Sequence, residues 1–311
     1  MLYKKIIDSQ IFNKGALKES TPSGGITIII ENQKICSVLD GAGWIHPRRK
    51  TQYISLFNNV LKKHNLPNAK ININLSDHPV DGYFNFCRIL NNDKQFLLPN
   101  HRFTEDDIIQ NNPNFDEVIK YVRSKQIPYN LRKSQFYTNC IPHISKIDYF
   151  KYALKNQSFC NGYVYGGSVH GYMSLDPLFI KSLKNCGMGG ELLTPFETHN
   201  NYKYIIYNDG NTLSDRMRLL LCTDSVIVRK KSIYEEFYTY LLSHNNNFIE
   251  YDKVEELETI FANLESDDSL TTKIRHNNAH FIDTYLNYDR ILEYVAVLIN
   301  ALFTSLALDI K

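Results

Sequence analysis

The chain has 311 residues, 43% of them hydrophobic and 22% charged, with a formal net charge of +2. A chain of this length can bury a sizeable core and is expected to hold two domains, and its composition is that of an ordinary globular protein. The near balance of charge excludes a general nucleic-acid binder, whose basic surface would be concentrated. The short clusters Arg48-Arg49-Lys50 and Arg229-Lys230-Lys231 read as solvated turns, with phosphate contact as the alternative.

Met1 to Gly15 carries Lys4, Lys5, Asp8 and Lys14 and no apolar run of signal-peptide length. Ile26–Ile30 and Lys34–Val38 flank Glu31-Asn32-Gln33 and predict a hairpin. Gln52–His64 has helical spacing through Tyr53, Leu56, Phe57, Val60 and Leu61, followed by Pro67 and a strand over Ala69–Leu75. Phe115–Arg123 reads as a helix, and a domain boundary is placed near Ile127-Pro128-Tyr129. Gln135–Thr138 is a short strand, and Ser145–Lys155 a helix with Ser145 and Asp148 set as a cap pair. Helices follow over Ser232–Leu242, Lys253–Leu264 with Asp252 as N-cap, Asp268–Leu286 and Asp289–Leu308. Alternating strands and helices argue for an α/β architecture. The run Ile291–Leu308 is interrupted by Glu293 and Asn300 and reads as a core helix, not a transmembrane span.

Tyr202 to Val228, YKYIIYNDGNTLSDRMRLLLCTDSVIV, is the most informative stretch. It reads as a strand (Tyr202–Tyr207), a turn at Asn208-Asp209-Gly210, a helix with Ser214 as N-cap, and a second strand over Ser225–Val228. Such a unit aims a helix N-terminus at the C-terminal edge of a parallel sheet, where an anion can bind. Arg216 falls in the first turn of that helix, against the dipole. A bound diphosphate would explain it, and so would an ion pair with Asp209 or Asp215. Asp77, just after the apolar run Ile71–Leu75 and before Pro79, reads either as a base at a strand end or as a turn aspartate satisfying its own backbone.

The pattern Y-K-Y-I-I-x-x-D-G-x-x-x-S-x-R-x-x-x-L-L, followed by a strand and S-x-Y-E-E-F, resembles glycosyltransferase family 90, the protein O-glucosyl- and O-xylosyltransferases and capsule-associated proteins. Upstream, AKININLSDHP (Ala69 to Pro79) is similar to the family's strand ending in a D-x-P turn. The resemblance runs from roughly Gly25 to Tyr288. It implies a GT-B fold: two Rossmann-like lobes facing across a cleft, with a C-terminal helix crossing back to the first lobe. The lobes are expected as an acceptor-side lobe over 1–130, a nucleotide-sugar lobe over 131–287 and the crossing helix over 288–311. The implied activity is inverting transfer of glucose or xylose from a UDP-sugar to a hydroxyl of a glycan or glycoprotein.

On this resemblance Asp77 is the catalytic base and Arg216 the diphosphate contact, with Ser214, Thr212 and Gly210 around the phosphates. Asp209, Glu236 and Glu235 are assigned to the donor sugar or ribose, although Glu235 also forms an S-x-x-E capping box with Ser232. His78 is an alternative base. The stretch Leu97–Phe103, with Asn100, His101 and Arg102, lines the acceptor side or is simply a packed loop. The chain departs from the family's F-R-G segment: the matching block is Phe136-Tyr137-Thr138-Asn139-Cys140, with no arginine, and Lys133, Arg132 or His143 are the candidate substitutes. A family member without activity, acting as a sugar- or protein-binding assembly factor, is the alternative reading.

No metal or other cofactor is expected. The histidines show no ligand motif, no D-x-D triplet is present, and His276 and His280 lack a third ligand. The six cysteines show no C-x-x-C and read as reduced thiols. With no apparent signal sequence, the expected location is cytoplasmic. A composition rich in Asn, Lys, Ile and Tyr suggests an AT-rich protist or viral genome, which would make that a host cytoplasm. The sequon Asn74-Leu-Ser76 lies in a buried strand and reads as chance. A nucleotide-dependent oxidoreductase is disfavoured because no G-x-G-x-x-G follows an early strand.

Overall fold

The structure, a computed structural model, describes residues 4–104, 114–141, 144–165, 176–190 and 194–304. It divides into two compact units. The first comprises Met1–Glu117, Ile233–Leu241 and Asp283–Lys311, the second Val118–Ser232 and Leu242–Ile282. The boundaries expected from sequence are therefore corrected. The first crossing falls inside a helix, because Phe115 at its start packs on Phe103 at 4.8 Å. Further along the same helix Tyr121 donates to Glu197 and the Val122 carbonyl accepts from Asn200, both partners belonging to the second unit.

The first unit begins with helix α1 (Lys4–Phe12) and the hairpin β1 (Gly25–Glu31) and β2 (Lys34–Asp40). Asn32 and Gln33 turn the hairpin with positive φ, 49° and 62°, the geometry of a tight two-residue turn. Helix α2 (Pro47–Lys63) buries Tyr53, Leu56, Phe57 and Val60 along one stripe. Strand β3 (Ala69–Asn74) follows, then the short β4 (Phe84–Asn85), β5 (Arg88–Ile89) and β6 (Phe96–Leu97). The main sheet has the order β2-β1-β3-β4-β6. β3 runs antiparallel to β1 and parallel to β4, so this unit is a mixed sheet and not a purely parallel Rossmann lobe.

Helix α3 (Phe115–Ser124) leads into the second unit. There β7 (Lys133–Tyr137), β8 (Asn139–Cys140), helix α4 (Ile144–Lys155) and β9 (Tyr163–Tyr165) are followed by α5 (Pro177–Asn185), β10 (Gly189–Gly190) and β11 (Tyr202–Tyr207). A one-turn helix α6 (Met217–Leu220) precedes β12 (Val226–Lys230). After β12 the chain supplies β13 (Tyr234–Glu235) to the first unit, where it pairs with β5. It returns to the second unit as β14 (Phe248–Tyr251), α7 (Leu257–Ser266) and α8 (Asp268–Tyr285). The sheet β14-β12-β11-β7 is parallel throughout, as is β10-β9-β8. The parallel α/β lobe expected here is present. Phe136, Tyr204, Ile206, Val226 and Val228 fill its core, and Phe261 of α7 packs against them.

The last helix, α9 (Tyr288–Phe303), belongs to the first unit, as expected of a helix returning to the first lobe. Its Tyr294 hydroxyl accepts from Gln10 Nε2 at 2.9 Å and donates to the Leu97 carbonyl at 3.0 Å, while Gln10 Oε1 accepts from the Leu97 amide at 2.7 Å. Residues 305–308 of the expected helix lie outside the described residues. Among the described residues no helix is long and apolar enough to cross a membrane.

Three local expectations are corrected. The helix predicted over Ser232–Leu242 is absent: residues 235–239 are buried in succession, which a one-sided helix cannot be, and the segment forms β13 and a 3-10 turn instead. Asp252 does not cap the next helix. Its first turn is a 3-10 turn, Val254–Glu256, closed by Glu256 Oε1 accepting from the Lys253 amide. Ser145 lies inside α4 and spends its hydroxyl on the Asp209 carbonyl, 2.6 Å away.

Candidate functional site

In the first unit the loop after β3 is built by two buried asparagines. Asn74 Nδ2 donates to the His78 carbonyl at 2.7 Å and to Asn85 Oδ1 at 2.9 Å, and Asn74 Oδ1 accepts from the Ser76 amide and hydroxyl. Asn85 Oδ1 also accepts from the Val80 amide. Asn74 is consumed by this role, in keeping with the chance reading of its sequon. The arrangement presents Asp77, whose Oδ1 accepts from Arg49 Nη2 at 2.6 Å; Arg49 Nη1 donates to the Leu75 carbonyl at 2.7 Å. Arg49 sits in the first turn of α2, above the Phe86 ring. The cluster Arg48-Arg49-Lys50 is thus not merely solvated: Arg49 orients Asp77, and Lys50 pairs with Asp40 at 2.6 Å.

His78 is exposed beside Asp77. The Leu97–Phe103 stretch is a packed loop. Asn100 is buried and caps a 3-10 turn by accepting from the Arg102 amide. His101 is buried between Tyr53 and Phe86, and Arg102 is only partly covered. Glu235 and Glu236 also belong to the first unit. Glu235 accepts from Arg88 Nε at 2.6 Å in a buried ion pair, and Ser232, its expected capping partner, bonds Asp209 instead. Glu236 is fully buried and accepts from the Tyr238 hydroxyl at 2.6 Å.

The second unit gathers its polar groups at the C-terminal ends of parallel strands, the edge at which open α/β sheets bind ligands. Asp209 follows β11. Its carbonyl accepts from Ser145, and its Oδ2 accepts from Ser232 Oγ at 2.6 Å. Its Oδ1 is buried without a hydrogen-bond partner among the described residues. Burial raises the Asp209 carboxyl above its ordinary range, opposed by the Ser232 hydrogen bond, Arg229, the Ser214 amide and Lys146. A Cβ added at Gly210 would meet nothing closer than the Thr212 carbonyl at 4.0 Å. Thr212 is buried, and the Ser214 carbonyl accepts from Tyr207 at 2.6 Å.

Arg216 stands at the N-cap of α6, not within its first turn, and Ser214 is not the cap. A helix of one turn supplies little dipole, so the anion site expected there cannot rest on α6. Arg216 forms neither expected ion pair among the described residues. Its Nε donates to Ser214 Oγ at 3.2 Å and its Nη1 to the Asn139 carbonyl, while Nη2 is buried with no partner.

Two further cations join the site from other elements: Lys146, which the sequence does not mark, and Arg229, from a basic cluster for which phosphate contact is the alternative reading. Arg229, on β12, is 8% exposed; its guanidinium lies 5.2 Å over the Phe248 ring and its Nε has no partner. The solvated-turn reading of its cluster is therefore corrected at that residue. Lys146, on α4, is also 8% exposed. Burial pulls its ammonium down to about 8, with Cys140, Arg216, Asp215 and Asp209 as the charges acting on it. His199 lies beside Arg216, and burial with that charge drives its imidazole down to about 3, so it is neutral.

The candidate substitutes for the missing arginine do not reach this cluster. Arg132 and Lys133 lie at the opposite, N-terminal end of β7, where Arg132 is buried against the Ile127, Thr223 and Asp224 carbonyls. Lys133 rests over the Tyr202 ring. His143 lies outside the described residues. Among the described residues no three His, Cys, Asp or Glu side chains group to hold a metal ion. The net result is a partly buried group of polar side chains with three cations facing two carboxylates, suited to a dianion.

The strand ends of the second unit thus gather Arg216, Arg229 and Lys146 around Asp209. Residues 185–308 match the family model of glycosyl transferase family 90, the family the sequence resembles. The match begins later than that resemblance, covering Asp209 to Arg229 but not Asp77 or Lys146. No curated protein matches the chain.

Solved structures similar to it include Anabaena Alr3699/HepE in complex with UDP, at 12% identity and a TM-score of 0.42, over 60% of this chain and 53% of that one. S. aureus TarM, as a point mutant in complex with Fondaparinux, alpha-GlcNAc-glycerol and UDP, is 14% identical with a TM-score of 0.39, over 54% of this chain and 36% of its own. The pneumococcal O-GlcNAc transferase GtfA, in complex with UDP and GlcNAc, is 11% identical with a TM-score of 0.38, over 56% of this chain and 37% of its own. The chain thus spans about a third to a half of the length of these structures.

Proposed function

We propose that the protein transfers a sugar from a UDP-sugar to a hydroxyl of a glycan or glycoprotein, with inversion and without a metal. In this reading the two units are the acceptor-side and donor-side lobes of a GT-B enzyme. The observation that carries it is the set of buried, under-partnered cations beside Asp209 at the strand ends, within and next to the stretch that matches the family. Arg216 neutralises the donor diphosphate, whose charge grows as the sugar departs. Gly210, Thr212 and Ser214 shape the phosphate side, and Asp209 Oδ1 accepts from sugar hydroxyls. Asp77, held in orientation by Arg49, takes the proton of the acceptor hydroxyl as that oxygen attacks the anomeric carbon. His78 and Arg102 remain as acceptor contacts. Glucose and xylose are the sugars that the family resemblance suggests.

The test is release of UDP from a panel of UDP-sugars, with and without glycan acceptors, in excess EDTA and with added Mn²⁺. The expected result is UDP release that is indifferent to chelator and fastest with one sugar. Loss of activity with EDTA, restored by Mn²⁺, overturns the metal-free mechanism. Tight UDP binding with no release from any donor instead identifies a family member without activity.

A further inference from the structure

Lys146 is 8% exposed, and among the described residues its ammonium has neither a hydrogen bond nor an ion pair. A buried, unpartnered charge is costly, so its retention calls for a counterion that the described residues do not supply. The charged and titratable groups facing it come from three places: Cys140 on β8, Asp209 after β11, and Asp215 with Arg216 in the segment leading to α6. Arg216 repels it, and both carboxylates attract it without bonding to it. Two cations held close enough to oppose each other, with Arg216 Nη2 and Arg229 Nε also unpartnered among the described residues, form a site suited to an anion.

We infer that Lys146 is a second phosphate ligand of the donor site, and that binding of a nucleoside diphosphate is coupled to the uptake of a proton from solvent by its amine. This rests on the donor-site reading above. In the unliganded protein burial holds the Lys146 ammonium down to about 8, so it is partly neutral in mildly alkaline solution. A diphosphate against Nζ favours the charged form and restores the proton. Arginine, charged at every accessible pH, would give no such coupling.

The experiment is calorimetric titration with UDP in pairs of buffers of different ionisation enthalpy, between pH 7.5 and 9. The second phosphate ionisation, near pH 6, lies below this window. The wild-type protein is expected to take up about a quarter of a proton per UDP at pH 7.5 and close to one at pH 9. Lys146→Met should abolish the uptake and weaken UDP about tenfold or more at pH 7.5. Lys146→Arg should abolish the uptake while retaining most of the affinity.

Unchanged proton uptake in Lys146→Met, or unchanged UDP affinity in that variant, overturns the inference. If at the same time Arg216→Ala still loses UDP, the donor site stands and Lys146 alone is removed from it. If the wild-type protein binds no UDP at any pH, the donor-site reading falls and this inference falls with it.

Discussion

Arg216 distinguishes two accounts that its sequence position leaves open. Its structural partners are a serine hydroxyl and a backbone carbonyl, not Asp209 or Asp215, so replacing it should damage ligand binding more than folding. Arg216→Ala is expected to weaken UDP at least about tenfold, the loss of a charge-assisted hydrogen bond. Arg216→Lys should recover part of that, since lysine lacks the planar fork. Calorimetry beside melting curves reads the difference; a lower melting temperature with unchanged UDP affinity would assign Arg216 to structure. Asp77→Asn keeps the shape of the side chain and removes the base, so transfer should fall by about 10²- to 10⁴-fold with UDP affinity unchanged.

Lys146 carries a stability prediction that needs no ligand. Its amine holds a proton less tightly in the folded protein, at about 8, than at the ordinary 10.5 of an unfolded chain. Between those values the unfolded state binds more protons, so this residue makes stability rise with pH in that window and lowers it below pH 8. Lys146→Met should therefore melt higher than wild type at pH 7, and the gap should close toward pH 10. An equal or lower melting temperature at pH 7 would show that the ammonium is satisfied in the unliganded protein.

Asp209, Gly210, Thr212, Ser214 and Arg216 are legible in the sequence because they lie close together and follow a strand of unmistakable pattern. Lys146 is not, because it is brought in by tertiary structure from a helix whose own pattern concerns only its packing; Arg229 and Arg49 show only as members of short basic clusters.

At the scale of elements the same division holds. The β1–β2 hairpin and helix α2 are local structures, set by a turn and by a stripe of apolar residues, and sequence and structure agree on both apart from their ends. The segment after β12 reads as a helix because Tyr234, Phe237, Tyr238 and Leu241 fall at helical spacing. A two-residue pairing with a strand far earlier in the chain overrides that periodicity, and nothing local announces it. The pairing is secured by the Arg88–Glu235 ion pair, whose side chains are 6% and 11% exposed. Removing one partner leaves the other charge buried, so Arg88→Met should cost about 3–5 kcal/mol in urea unfolding. The double change Arg88→Met with Glu235→Leu should recover most of the loss. A loss below about 1 kcal/mol in the single variant would mean that the pair behaves like an exposed one.

Across the whole molecule, the expected two-part organisation is present but cut differently. The sequence suggests one boundary at a proline-containing loop and one before the last helix. The structure crosses between units inside α3, twice around 233–241, and again at the end of α8. α9 is not an appendage of the first unit but part of its core: Leu292, Val295, Leu298, Ile299 and Leu302 are each fully buried. Truncation after Ile282 should therefore leave residues 4–117 open to trypsin while the second unit resists it. Equal resistance of both units would show that the first closes without α9.

The Gln10–Tyr294–Leu97 bonds give this a temporal meaning. Gln10 and Leu97 can meet early in synthesis, but the Tyr294 hydroxyl that joins them lies 197 residues beyond Leu97. Between Glu117 and Asp283, at about 5–20 residues per second, lies a wait of roughly ten to thirty seconds. Throughout it the β1–β2 hairpin, β3 and α2 lack the helix that seals them. The second unit, nearly continuous in sequence, is complete first. Translation thus reverses the order of the two halves: the half made first is finished last, and it is the half whose exposed strands most need shelter in the interval.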